Sequence, residues 1–170
     1  MRQNPWQLIA VAILALLSQR VMASTEEELE NGLISAMRLN KETKERVGNS
    51  GKAIQAYMRE GYVGRRPNRR VDYTDYYLLK KPARFMHHEL VMIEEEYMLE
   101  FIGCCVSVGV GVTLRVNGST ENLEDFAEQN GCRVEPNVDF QQKAEDLWVK
   151  EKVAKGNYVW MSCRERDVMQ

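Results

Sequence analysis

The stretch CCVSVGVGVTLRV, residues 104–116, carries the clearest secondary-structure pattern in the chain. Branched apolar side chains occupy every second position from Val106 to Val116, and small or polar side chains lie between them. A period of two places alternate side chains on opposite faces of a β-strand. One face of this strand is therefore predicted to lie in the core, while the other face is small at first and becomes polar.

Two glycines, Gly109 and Gly111, interrupt only the small face of this strand. A phosphate-binding loop would require the strand to end there and a helix to begin, so that backbone N–H groups converge on the anion. The valines continue through both glycines instead. The pattern predicts a strand face against which a helix or a neighbouring backbone packs closely.

The rest of the chain predicts an α+β fold. Further strands are predicted at residues 73–79 and 158–164, the latter with Cys163 on its more aliphatic face. Helices are predicted at residues 25–47 and 53–58, between a turn at Asn117-Gly118 and Gly131, and around residues 140–153, where Leu147, Trp148 and Val153 would be buried. We expect a small antiparallel sheet, mainly from the C-terminal half, packed with three or four helices and closed by two disulfides.

The N-terminus has the layout of a secretory signal peptide. Arg2 precedes the apolar run LIAVAILALL at residues 8–17, and Ala23 offers a small residue before a cut at Ser24. The run is too short for a stable membrane-spanning helix, although an uncleaved N-terminal anchor is the alternative. We expect a signal peptide at 1–23 and an exported, periplasmic or secreted domain at 24–170 without stable membrane insertion. That domain divides into a helical part (24–58), a basic loop (59–72) and a disulfide-bonded core (73–170).

The charge balance argues against a nucleic-acid partner. The signal segment contains two of the 23 Lys and Arg residues and no acid, so 21 basic residues would remain against 25 Asp and Glu, a formal charge of −4. A weakly acidic domain has no general attraction to nucleic acid.

Four cysteines, Cys104, Cys105, Cys132 and Cys163, are predicted to form disulfides, because an even number in an exported domain is typical of them. Neither a CxxC spacing nor clustered histidines indicates zinc. A bond between the adjacent Cys104 and Cys105 would need a strained ring, which leaves two connectivities. The aliphatic face that Cys104 and Cys163 share favours Cys104 with Cys163 and Cys105 with Cys132.

Basic and aromatic residues alternate between Arg59 and Arg84. Such a mixture can hold a nucleic-acid backbone and stack its bases, but the positive charge is local and the domain is acidic. A solvated loop that leads into a strand is the simplest interpretation, and a patch that docks an acidic protein or an anionic glycan is the functional one. The candidate binding patch comprises Arg65, Arg66, Arg69, Arg70, Tyr73, Tyr76, Lys80 and Lys81.

His87 and His88 are the only histidines, and Glu89, Glu94, Glu95 and Glu96 follow them. Vicinal histidines rarely converge on one ion, so we expect a surface or packed role for the pair and a solvated face for the glutamates. No serine lies in a nucleophile-elbow context. The sequence therefore predicts no catalytic residue, no metal and no cofactor.

Four segments resemble a family of small exported bacterial proteins described as quorum-sensing-regulated virulence factors. They are DYYLLKKPA (75–83), IEEEYM (93–98), GCCVSVGVG (103–111) and SCRERD (162–167), and they span roughly Asp75 to Asp167. The resemblance implies a secreted or periplasmic protein of a Gram-negative bacterium, with an α+β fold, no known cofactor and a role in host interaction. It brings no catalytic residues.

Two functions follow from these features. The first is a non-enzymatic interaction protein, virulence-associated, acting on a host or envelope partner. The second is an envelope thiol–disulfide redox factor, or another small extracytoplasmic enzyme, that uses Cys104 or Cys105. Flanking valines predict burial of these cysteines, whereas a redox-active thiol is accessible and has a lowered pKa, so the first function is favoured.

Overall fold

The computed structural model describes residues 25–96, 106–149 and 154–168. In these ranges the chain is an α+β fold with a seven-stranded antiparallel sheet and four α-helices, which confirms the predicted class. The strands are β1 (Arg69–Val71), β2 (Thr74–Leu78), β3 (Arg84–Phe85), β4 (His88–Glu96), β5 (Gly109–Arg115), β6 (Arg133–Pro136) and β7 (Tyr158–Arg164). The helices are α1 (residues 25–37), α2 (Ser50–Arg59), α3 (Glu121–Asn130) and α4 (Phe140–Asp146).

The strand order is β1-β2-β4-β5-β7-β6, and β3 pairs with the first residues of β4. Every pair is antiparallel. The long strands β4, β5 and β7 form the centre, while the short strands β1 and β6 form the two edges. Within the described ranges no helix is long and apolar enough to cross a membrane.

The valine face of β5 lies in the main core, as predicted. Val110, Val112 and Leu114 are fully buried beside Met161 of β7, in a cluster that also contains apolar residues of α1, α2 and α3. Burial of each such side chain contributes about 1.5–3 kcal/mol relative to exposure. The alternation in the sequence therefore fixes which face of the sheet carries these three helices.

Close packing at Gly109 and Gly111 is confirmed. A Cβ at Gly109, which has φ +132°, would lie 2.3 Å from the carbonyl oxygen of Cys163 in β7. A Cβ at Gly111 would lie 3.2 Å from Oε2 of Glu94 and 3.4 Å from Nη2 of Arg164. The glycines leave room for the neighbouring strand and for a buried guanidinium. They lie within strand β5 and do not form a phosphate-binding loop.

The predicted solvated face of the glutamates is wrong for Glu94 and Glu96. Both lie in β4 on the second face of the sheet, and Glu94 is only 3% exposed. Nζ of Lys143 lies 2.6 Å from Oε1 of Glu94, and the indole N–H of Trp160 donates to the same oxygen at 3.0 Å. Buried carboxylates need such partners because an unpaired buried charge is costly.

Arg164 joins the two buried carboxylates. Its Nη2 lies 3.4 Å from Oε2 of Glu94, and its Nε lies 3.2 Å from Oε1 of Glu96, although this N–H is not aligned for a hydrogen bond. The backbone N–H of Ser107 donates to Oε2 of Glu96 at 2.7 Å. The second face of the sheet thus combines this ion-paired network with a smaller apolar cluster that contains Met92 and Phe140.

The described disulfide joins Cys132 and Cys163. The predicted pairs, Cys104 with Cys163 and Cys105 with Cys132, are therefore wrong. Cys163 does lie on the aliphatic face, but its cross-strand partner in β5 is Val110, well beyond Cys104 in the chain, whereas Cys132 follows α3 directly beside β7. Cys104 and Cys105 lie outside the described residues, so a second disulfide stays a prediction.

The N-terminal helix is shorter than predicted, since α1 ends at residue 37 rather than 47. The following turn is held by Arg46, whose guanidinium donates to the carbonyl oxygens of Met37 (2.8 Å), Asn130 (2.6 Å), Gly131 (3.0 Å) and Arg164 (2.9 Å). Burial lowers the pKa of Arg46 from its ordinary value. This side chain ties the ends of α1 and α3 to the end of β7. The predicted helices α2 and α3 are confirmed.

Candidate docking surface

The predicted basic patch lies around edge strand β1. Six of its residues are exposed, and Tyr76 and Lys81 are half-buried. The exposed members are Arg65, Arg66, Arg69, Arg70, Tyr73 and Lys80. The structure therefore places the patch at one edge of the sheet.

The sheet divides this patch between its two faces. Arg69 lies opposite Tyr76 in the β1–β2 register, on the face that α4 covers, while Arg70 lies opposite Asp75 on the other face. Arg70 forms a two-pronged ion pair with Asp75, with Nε to Oδ1 at 2.6 Å and Nη2 to Oδ2 at 2.7 Å. Asp75 is only 3% exposed. Arg70 thus neutralises a buried carboxylate.

Asp75 also accepts a hydrogen bond from the hydroxyl of Tyr77 at 3.4 Å. Burial, with the Asp75 charge as the next cause, raises the pKa of Tyr77 to about 12. Lys81 is engaged in a different way, since its Nζ lies 3.9 Å from the ring centre of Tyr62, a cation–π contact. Arg70 and Lys81 are therefore engaged within the fold.

Four exposed cations of the predicted patch make no ion pair with any described residue. They are Arg65, Arg66, Arg69 and Lys80. We call these four residues the basic edge. Their charge is exposed and is not balanced by a described carboxylate, and Arg69 also contacts the ring of the exposed Trp148.

A groove of about 520 Å³ lies beside the basic edge, between β2, β4 and the α4 segment. Most of its lining is apolar, and we call Leu78, Val91 and Phe140 its floor. Its polar lining residues include Asn68, Lys80, Lys81 and Glu89. Protein pockets that hold small ligands or side chains are typically several hundred Å³. The arrangement offers an apolar floor and charged lining residues of both signs, and the carboxylate among them, Glu89, is paired with Arg115.

Trp148 was predicted to be buried, and this prediction is wrong. Helix α4 ends at Asp146, seven residues before the predicted end, and Trp148 is 77% exposed. Its ring lies 5.5 Å from the guanidinium carbon of Arg69. Leu147 and Val149 flank it and pack inwards. Residues two apart lie on different faces of an α-helix, so a helix that continued here could not bury both. That spacing is the signal that could have located the end of the helix; Val153 lies outside the described residues.

The two histidines have different roles and do not form one site. His88 is buried, its Nδ1 accepts the backbone N–H of Asn117 at 3.1 Å, and its Nε2 therefore carries the proton and donates to Oδ1 of Asn122 at 3.2 Å. His87 is exposed at the tip of the β3–β4 hairpin. Surface and packed roles are thus divided between them.

Among the described residues, no group of three or more His, Cys, Asp or Glu side chains is arranged to hold a metal ion. Cys104 and Cys105, the thiols of the redox hypothesis, lie outside the described ranges. No protein-family model matches the chain, and comparisons with curated proteins and with solved structures also found no match.

Proposed function

We propose that this chain is an exported, non-enzymatic interaction protein that binds an acidic segment of a partner protein at the basic edge. The observation that carries the proposal is the group of four exposed cations that make no ion pair with a described residue, one of which, Lys80, lines an apolar groove. The whole chain has a formal charge of −2, so this positive region is opposite in sign to the net charge of the chain. Complementary charge steers a partner to such a surface and excludes partners of like charge.

The apolar floor favours a protein segment over a glycan as the occupant. Leu78, Val91 and Phe140 can contact aliphatic side chains, and an acid beside those side chains would reach Lys80, which lines the groove. Arg66 lies next to Lys80, because atoms of both surround Gly64. Recognition of acidic segments by clustered arginines is a recurring mode of peptide binding. An anionic polysaccharide would use the cations but leave the floor uncovered.

The segments between Asp75 and Asp167 resemble exported virulence factors, and this resemblance is the basis for proposing where the binding takes place. On that basis the protein acts on a host or envelope partner, as a virulence-associated factor produced under quorum sensing. The Cys132–Cys163 disulfide supports residence in an oxidising compartment, because such bonds form and persist outside the cytosol.

A charge-reversal experiment tests the binding surface. The probe is a fluorescein-labelled peptide of alternating glutamate and leucine, followed by anisotropy at fixed salt. Saturable binding is expected, and the triple variant Arg65→Glu, Arg66→Glu, Arg69→Glu should weaken it at least about tenfold. The matched control, Arg38→Glu, Lys41→Glu, Arg133→Glu, changes exposed cations near the opposite edge and should leave binding within about twofold.

Three outcomes would contradict the proposal. Equal weakening by both triple variants would show attraction to net charge alone. A sulfated polysaccharide that binds the protein when the peptide does not would assign the surface to glycans. Absence of saturable peptide binding would remove the acidic-segment partner.

A second candidate function, a thiol–disulfide redox factor, is favoured by one observation. The chain has four cysteines, and the pairing of Cys132 with Cys163 leaves the adjacent Cys104 and Cys105 either bonded to each other or as thiols. Strained disulfides and accessible thiols are the exchangeable ones. Intact-mass measurement after alkylation without reductant tests this: alkylation, or reduction of one bond at mild potential, supports the redox role, and an inert protein excludes it.

A further inference from the structure

The end of helix α4 holds a residue that its backbone geometry disfavours. The N–H of Trp148 donates to the carbonyl of Glu145 at 2.8 Å, and the N–H of Val149 donates to that of Ala144 at 2.9 Å. These two bonds define a Schellman motif, in which the residue after the cap is left-handed and is usually glycine. Here that residue is Trp148, with φ +56°. A bulky side chain at positive φ is a genuine outlier.

Packing does not explain the tryptophan either. Its side chain is the most exposed of the large hydrophobic residues in the described ranges, and its described ring contact is with the exposed Arg69. The inward packing at this helix end is supplied by Leu147 and Val149. The position therefore combines an exposed aromatic ring with backbone strain, a feature that clusters at functional sites.

The ring of Trp148 lies near the groove. Asn68 and Val149, the chain neighbours of Arg69 and Trp148, both line the groove, so the Arg69–Trp148 pair stands at its end. Tryptophan and arginine are the residues most enriched among those that dominate binding energy at protein interfaces. Arg69 contacts the ring and presents a positive charge beside it.

We propose that Trp148 is the anchor residue of the docking surface and that it receives an apolar side chain of the acidic partner segment. This inference rests on the proposed function, since it assigns an anchor to the same surface. The acids that flank the apolar side chain pair with Arg69 and with the other cations of the basic edge. On this proposal the ring of Trp148 contributes to binding of the partner rather than to packing of the fold, which explains why a strained tryptophan occupies this position.

Three variants at this position separate binding from folding. Trp148→Gly relieves the left-handed strain, so Tm should rise by about 2–4 °C while affinity for the glutamate–leucine peptide falls at least about tenfold. Trp148→Ala should lose the same affinity with little change in Tm. Trp148→Phe retains a ring and should keep affinity within about threefold. Val47→Ala, at an exposed apolar residue away from the groove, is the control and should change neither quantity.

The results distinguish failure of this inference from failure of the proposed function. If Trp148→Gly binds the peptide like the unmodified protein while reversal of Arg65, Arg66 and Arg69 abolishes binding, the surface is correct and the anchor is wrong. If neither variant alters binding, both proposals fail. A lower Tm for Trp148→Gly would show that the ring stabilises the fold and would overturn its role as an anchor kept for a partner.

Discussion

Helices α3 and α4 both end in a left-handed residue, but in very different surroundings. Gly131 after α3 has φ +55° and Trp148 after α4 has φ +56°, and in each case the next N–H bonds to an alanine carbonyl in the last turn, Ala127 or Ala144, at 2.9 Å. At α3 the left-handed residue is the expected glycine. At α4 it is a tryptophan that faces solvent.

The difference separates a part of the molecule that holds the fold from a part that is available to a partner. The end of α3 is bound by the Cys132–Cys163 disulfide and by Arg46, which donates to the carbonyls of Asn130 and Gly131. The end of α4 lies beside the basic edge and the groove. We therefore expect substitutions at α3 to lower stability and substitutions at Trp148 to alter binding.

Removal of the disulfide at the α3 end should have the largest effect on stability. The double variant Cys132→Ser, Cys163→Ser is expected to lower the free energy of unfolding by about 2–5 kcal/mol, the usual range for a small secreted domain. Chemical denaturation monitored by circular dichroism measures it. An unchanged midpoint would mean that the end of α3 does not hold the fold, and the contrast with α4 would disappear.

Most of the regular structure around α3 could be predicted because its signals are local. The valine alternation predicts β5, and the turn at Asn117-Gly118 with Gly131 predicts α3. The disulfide pairing could not be predicted, because two strands that share a face can pair in many registers. The burial of Glu94 could not be predicted either, since its partners Arg164 and Lys143 are distant in sequence and come together only when the sheet forms.

Arg70 is the member of the predicted patch that should behave like a residue of the α3 end. Arg70→Ala leaves the buried carboxylate of Asp75 without its guanidinium and should cost about 1–3 kcal/mol. Arg65→Ala, at an exposed unpaired cation, is the matched control and should cost less than about 0.5 kcal/mol. Urea denaturation compares them, and equal stabilities would show that the Arg70–Asp75 pair contributes nothing.

The basic patch illustrates what composition can and cannot predict about a binding surface. The abundance of arginine and tyrosine predicted a basic patch between residues 59 and 84, and six of its eight residues are exposed; that the patch binds a partner stays a prediction. The division of Arg69 and Arg70 between two faces depends on the pairing of β1 with β2, and the addition of Trp148 depends on where α4 ends. Neither is encoded in the composition of residues 59–84.

Substitution of the left-handed residue at each helix end has the smallest expected effect on stability and is the most direct test of the comparison. Gly131→Ala forces a Cβ into the left-handed region, 3.2 Å from the Cα of Val168, and should lower the free energy of unfolding by about 1–2 kcal/mol. Trp148→Gly should change it in the opposite direction, because the same strain is relieved at an exposed site. Thermal unfolding of both variants measures the signs. Equal signs would mean that the surroundings of each helix end, rather than its left-handed backbone, determine which residue is tolerated there.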